Sequence, residues 1–170
     1  MKRLDVDVAI IGAGTAGMTA YKAALEYTDS VVVIESGDYG TTCARVGCMP
    51  SKLLIAAANV ANTVDSAQQF GIDVAGKHID GRQVMQRVKA ERDRFVGFVV
   101  DAVNEWPEHH KLRGKAVFTD ANTLQVGDHC VVKAKRIIIA TGSRAHAPKA
   151  WYELGDRLLI NDDVFQWQSL

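Results

Sequence analysis

Apolar residues recur along this chain first in β-branched runs, then at helical spacing, then in short runs again. Val6-Asp7-Val8-Ala9-Ile10-Ile11, closed by Gly12, predicts a buried strand. From about Thr15 to Tyr27 the chain is rich in Ala and Met at helical spacing, which predicts a helix. Asp29 and Ser30 break it, and Val31-Val32-Val33-Ile34 predicts a second strand. Strand, helix, strand in so short a span is a βαβ unit, which implies parallel strands and a right-handed crossover. A loop is expected from Ser36 to Thr42, and after Pro50 an Ala-rich, mostly buried helix from Lys52 to about Gln69, stopped by Gly71. A third helix is expected from Gly81 to Trp106, its apolar positions including Val84, Val88, Phe95, Phe98 and Val99, and Pro107 closes it. Beyond it the pattern changes to short strands with turn signals, at Gly114–Phe118, Thr123–Val126, Cys130–Lys133 and Arg136–Ala140. The fold class is therefore α/β: a parallel sheet with helices, carrying an antiparallel β meander.

Composition adds bounds. The 170 residues suit one substantial domain, and 48% apolar with 24% charged residues is ordinary for a globular protein. Twenty basic residues balance 20 acidic ones, so nothing suggests a nucleic-acid footprint. No apolar stretch approaches a membrane span. The N-terminus turns acidic at Asp5 and Asp7 and shows no small-residue cleavage site, so a cytoplasmic protein is expected. Three cysteines, an odd number, argue against a structural disulfide framework. Cys130, beside Val131 and Val132, reads as a small buried hydrophobe.

Two motifs carry chemistry. Gly12-Ala13-Gly14-Thr15-Ala16-Gly17 follows a predicted strand and opens a predicted helix, the context that gives a G-x-G-x-x-G meaning. Gly12 permits a tight turn, Gly14 lets a pyrophosphate approach the backbone, and Gly17 lets helix and strand pack closely. Glu35 ends the second strand, where its carboxylate suits the hydroxyls of an adenosine ribose and repels a 2′-phosphate. This pattern alone does not separate FAD from NAD. The second motif, Cys43-Ala44-Arg45-Val46-Gly47-Cys48-Met49-Pro50-Ser51-Lys52, sets two cysteines close together near a helix start. They can approach closely enough to form a small reducible disulfide ring, and a helix N-terminus lowers a thiol pKa. Metal binding would need two further ligands, and the five histidines and Cys130 offer no matched second pair.

The cysteine motif, downstream of the glycine motif and Glu35, resembles that of the pyridine nucleotide–disulfide oxidoreductases. Ile139-Ala140-Thr141-Gly142-Ser143-Arg144 is similar to the family segment that returns to the flavin, and Phe118 to Leu124 is similar to dihydrolipoamide dehydrogenases. The resemblance implies a Rossmann-like FAD-binding domain, catalytic Cys43 and Cys48, and FAD contacts from Gly12, Gly14, Ala16, Gly17, Glu35, Ser36, Thr42, Cys43, Cys48, Lys52, Ala116, Ala140, Thr141 and Gly142. Within that set it implies Cys48 against the isoalloxazine as the charge-transfer thiolate and Cys43 as the interchange thiol. Lys52 would lie near the flavin N5 edge, and Ala116 would meet adenine through its backbone. Two positions depart from the family pattern: Thr41 replaces a glycine, and Arg45 replaces a common asparagine. Arg45 adds a charge that favours a thiolate or steers an acidic partner, or simply faces solvent.

No second glycine motif and no histidine–proline segment supplying a catalytic base occur in the chain. The expectation is an N-terminal portion: residues 1–150 as the first segment of an FAD domain whose second segment is absent, and 151–170 crossing toward a missing nicotinamide domain. The intact protein is expected to use FAD and NAD(P), to act on a lipoamide-type dithiol or disulfide in cell redox homeostasis, and to form a homodimer. The expected reaction is that of dihydrolipoamide dehydrogenase. The alternatives are a glutathione or mercuric reductase type, a non-catalytic flavin-binding module, and an inert portion that associates through exposed core. The chain alone is expected to turn over little and to bind FAD weakly, if at all.

Overall fold

Ten residues, Lys2–Ile11, form the first strand, β1, and its inner half is apolar on both faces. A three-residue turn leads into helix α1, Thr15–Leu25, and strand β2, Val31–Glu35, follows. β1 and β2 pair in parallel, Val8 with Val31 through Ile11 with Ile34, so the predicted βαβ unit is present. After it come α2 (Thr42–Val46), α3 (Cys48–Ser66) and α4 (Gly81–Asn104), then β3 (Lys111–Arg113), β4 (Ala116–Asp120), β5 (Thr123–Val126), β6 (Cys130–Ile139) and the one-turn helix α5 (Asn161–Val164). The computed structural model describes residues 1–170. It divides them into two compact units, Met1–Thr42 with Gly97–Ser143, and Cys43–Val96 with Arg144–Leu170.

The first unit holds a six-stranded sheet in the order β3-β2-β1-β6-β5-β4. Its β3, β2, β1 and β6 strands are parallel, and β6, β5 and β4 run antiparallel to one another in turn. The α/β class with a parallel sheet and an antiparallel meander is thus what the chain adopts. Two expected strands, Cys130–Lys133 and Arg136–Ala140, are one continuous strand, because Ala134 and Lys135 contain no turn residue and β1 pairs with β6 along nearly its full length. The same pairing, from Lys2 with Cys130 to Ile11 with Ile139, extends β1 four residues ahead of the predicted start.

Burial follows the strand period of two. Ile10, Val31 and Val33 face α1 and pack with Tyr21 and Ala24, whereas Ala9, Val32 and Ile34 face the other side with Leu124, Val126 and Val132. All four apolar residues of β2 are buried, as expected of a strand covered on both faces. Cys130 is fully buried among these residues, as its surroundings predict. The one buried polar side chain in the core, His110, is satisfied at both ring nitrogens: Nδ1 pairs with the Tyr21 hydroxyl at 2.8 Å and Nε2 with the Asp29 carbonyl at 2.9 Å. Trp106 packs on Tyr21, with ring centroids 4.1 Å apart.

In the second unit α3 starts at Cys48, four residues before the expected start, because Pro50 sits in the first helical turn where no backbone N–H is needed. The expectation that this Ala-rich helix is mostly buried is wrong: Pro50 is its one buried residue. Alanine stabilises a helix through its own propensity and needs no partner to do so. Gly71, at φ +76°, ends the stretch as predicted. The Asp80 carboxylate caps α4 by accepting the N–H groups of Gln83 and Arg82, both at 3.0 Å. Lys89 and Arg92, further along α4, donate to the Gln166 and Phe165 carbonyls. No helix is long and apolar enough to cross a membrane.

Two outcomes test this packing. Tyr21→Phe leaves His110 Nδ1 without its partner and should cost about 1–3 kcal/mol in urea denaturation, with the dinucleotide turn intact. The Gln83 and Arg82 N–H groups, aided by nearby positive charge, hold the Asp80 carboxyl below its usual range. A depressed carboxylate stabilises the fold above its ordinary pKa and loses that contribution as pH falls through the folded value. Helix content followed by circular dichroism should therefore fall as the pH drops below about 4, and Asp80→Asn should flatten that slope.

Candidate functional site

The turn between β1 and α1 is shaped by backbone contact. Gly12 has φ +105°, and a Cβ there would lie 2.3 Å from the Ala140 carbonyl oxygen. A Cβ on Gly17 would lie 1.8 Å from the Gly12 carbonyl oxygen. Both positions are closed to any side chain. Gly14 is different: it is the N-cap of α1, no side chain caps the helix there, and nothing lies within 4 Å of its missing Cβ. The turn is therefore packed shut on its inner side and open where the first N–H groups of α1 emerge. Thr15 and Ala16 are exposed beside it. This donor set suits the pyrophosphate of a dinucleotide.

Glu35 is drawn into the same turn. Its Oε2 accepts the Ala13 N–H and its Oε1 accepts the Gly37 N–H, each at 2.8 Å. Each oxygen keeps a second lone pair. Ala140 donates its N–H to the Ile11 carbonyl at 2.8 Å, which brings the end of β6 beside Gly12. Thr141 and Gly142 follow on the surface, with Gly142 at φ +70°. Gly12, Gly14, Gly17, Glu35 and Ala140 are thus brought together, with Ala16 and Thr141 adjacent. Ser36 and Thr42 lie exposed at the two ends of the loop, and Ala116 sits half-buried on β4 opposite Val126.

Two residues here escaped the sequence reading. β3 pairs Arg113 with Glu35, and the Gly114 N–H donates to the Glu35 carbonyl at 2.9 Å. The Arg113 guanidinium lies over the Tyr39 ring, 4.6 Å from its centroid. The only signal was Lys111-Leu112-Arg113 ahead of Gly114, too short a run to predict a strand.

In the second unit Cys43 lies in α2 and Cys48 opens α3, with Gly47 as its N-cap. The two thiols are free and hydrogen-bonded to each other. That shared hydrogen bond, then burial and the charge of Cys48, push the Cys43 thiol up, against the backbone N–H groups of Cys48 and Met49, which pull it down. The expected lowering of the thiol pKa is therefore reversed at Cys43. The helix start does contribute N–H donors to the Cys43 sulfur, and the neighbouring sulfur outweighs them. Cys48 is exposed, Ser51 donates its hydroxyl to the Cys48 carbonyl at 3.0 Å, and Lys52 is exposed one residue further on.

Residues 6–161 match the family model described as pyridine nucleotide-disulphide oxidoreductase. The chain belongs to this family. Its members use FAD together with NAD(P). The chain is 29% identical to a dihydrolipoyl dehydrogenase of Bacillus subtilis, over 98% of its own length and 37% of that protein. It is 30% identical to a mercuric reductase of Lysinibacillus sphaericus, over 85% of its length and 26% of that protein. Among solved structures it is similar to the Cu(II) complex of a cysteine-to-serine mutant of the HOCl-induced flavoprotein disulfide reductase RclA from Escherichia coli. There the TM-score is 0.72 at 22% identity, over 98% of this chain and 35% of that one. The chain thus spans about a third of the length of these oxidoreductases.

One substitution probes the glycine turn and another the cysteine pair. Gly17→Ala drives a methyl into the Gly12 carbonyl and should cost about 2–4 kcal/mol, read as a lower urea midpoint. Cys48→Ala removes the group that raises Cys43, so the pH profile for alkylation of Cys43 by iodoacetamide should move to lower pH, with faster reaction at neutral pH.

Proposed function

We infer that this chain carries the dithiol and the adenosine end of a flavin-dependent dithiol/disulfide oxidoreductase acting on a lipoamide-type substrate, with residues 1–150 as the first segment of its flavin domain. The observation that carries the reading is the Cys43–Cys48 pair: two sulfurs in mutual contact, one backed by helix N–H donors and the other exposed. Gly12, Gly14, Ala16 and Gly17 would hold the FAD pyrophosphate. Glu35, with Ser36, would take the adenosine ribose, and Ala116 the adenine edge. Thr42, Lys52, Ala140, Thr141 and Gly142 are the further contacts this reading assigns. Bound FAD supplies a two-electron carrier between the dithiol and a nicotinamide nucleotide.

The protein's own chemistry is thiol exchange. A substrate thiolate attacks Cys43 of the oxidised pair, the bond to Cys48 breaks, and Cys48 leaves as a thiolate. The second substrate thiol then attacks its own mixed-disulfide sulfur, releasing Cys43 and a cyclic substrate disulfide. Two electrons and two protons have passed to the cysteine pair. The N–H groups of Cys48 and Met49 stabilise the Cys43 sulfur as it leaves with negative charge. The intact enzyme would use NAD as acceptor and act as a cytoplasmic homodimer.

A second reading, reduction of a thiophilic metal ion, is favoured by the exposed Cys48 thiol and by the mercuric reductase among the relatives. The two readings separate on one set of measurements. Dihydrolipoamide should reduce the oxidised pair stoichiometrically, gaining two titratable thiols per chain, and Cys43→Ser should abolish this. Multiple turnover with NAD⁺ is not expected from these 170 residues. A disulfide that dihydrolipoamide leaves intact while the reduced pair binds Hg(II) tightly would favour the metal reading and overturn the first.

A further inference from the structure

Arg113 and Tyr39 have no role in the thiol chemistry, yet they lie at the residue proposed to hold ribose. Arg113 is directly opposite Glu35 on the neighbouring strand, and paired strands lie about 4.8 Å apart. Its guanidinium is held over the Tyr39 ring, 4.6 Å from the centroid. Tyr39 is half-buried against the α1 side of the core, whereas Arg113 is exposed. A planar cation is therefore backed by a fixed aromatic ring and leaves its other face to solvent.

We propose that the Tyr39–Arg113 stack is the shelf on which the adenine base of the dinucleotide lies. This rests on the reading of Glu35 as the ribose-binding carboxylate. The base is bonded to the sugar, so ribose hydroxyls on Glu35 place the base within one strand spacing of that carboxylate. A guanidinium stacks on an aromatic face and presents an equivalent flat face to a purine. Base stacking of this kind is tolerant of base identity and strong enough to matter to affinity. The Gly114 N–H, bonded to the Glu35 carbonyl, fixes the end of β3 so that Arg113 cannot drift from this position. Ala116, three residues on, is then left to meet the base at its edge while Arg113 meets its face. The shelf belongs to this chain's own sequence, since it depends on the side chains at 39 and 113 rather than on backbone.

The test compares ADP with ribosyl diphosphate lacking the base, titrated by NMR into the full 170-residue chain and into Tyr39→Leu, Arg113→Gln and Tyr39→Phe. The wild-type chain should bind ADP more tightly than the baseless compound. Tyr39→Leu and Arg113→Gln should weaken ADP by about tenfold and leave the baseless compound unchanged, and Tyr39→Phe, which keeps the ring, should retain ADP binding. Equal weakening of both compounds would mean that the pair only staples the Glu35 loop, and unchanged ADP binding would mean that the base lies elsewhere; either overturns the shelf. Because binding by this chain is expected to be weak, both compounds are carried to large molar excess; a wild-type spectrum that neither perturbs there overturns the reading of Glu35 and the shelf with it. A variant that fails to fold shows itself by circular dichroism, and Tyr39→Phe with Arg113→Lys then carries the comparison. Arg113→Lys keeps the charge but removes the flat stacking face, so it should weaken ADP selectively.

Discussion

The first unit is organised around a contact between two stretches of backbone. The Gly12 carbonyl meets the Cα of Gly17 so closely that a methyl at residue 17 would overlap it. This contact lets α1 begin after a turn of only three residues and run back across the sheet with Tyr21 and Ala24 pressed on Val31 and Val33. It also sets the Ala13 N–H toward Glu35 and leaves the bare Cα of Gly12 against the Ala140 carbonyl. A side chain at 17 would push α1 away from the strand, and one at 12 would push the end of β6 away from the turn. The helix N-terminus, the acid and the end of β6 would then lose their common centre.

That centre explains why the glycine motif has two kinds of position. Gly12 and Gly17 are needed for what is already there, the protein's own backbone. Gly14 is not demanded by the protein's own packing, since nothing lies within 4 Å of its missing Cβ. The cysteine pair follows another logic. The Cys43 thiol is pushed up by its hydrogen bond to the Cys48 sulfur and by burial, against the N–H groups at the α3 start.

The βαβ unit was legible because Val, Ile and Gly fall in uninterrupted runs with clear punctuation. The glycine motif, Glu35 and the cysteine motif were legible because their spacing is local. What escaped depends on partners distant in sequence. β3 is three residues long and exists because β2 is there to pair with it. The continuity of β6 through Ala134 and Lys135 is imposed by ten residues of β1. The exposure of α3 could not be read from its alanines, which favour the helix whether or not anything covers it. The rise in the Cys43 pKa needed the observed thiol–thiol contact, because spacing alone shows the helix N-terminus and hides the geometry of the pair.

The pairing of β1 with β6 also bears on how the chain reaches this structure. Lys2 and Cys130 are partners roughly 130 residues apart, so the central seam of the sheet is its least local contact. On the ribosome β1, α1 and β2 can associate early, but β1 keeps one unpaired edge until β6 emerges. For that interval an apolar strand stands open to any other strand that meets it. Folding speed and losses to aggregation should therefore be governed by how soon β6 arrives, a kinetic burden that falls on the strand placed at the middle of the sheet.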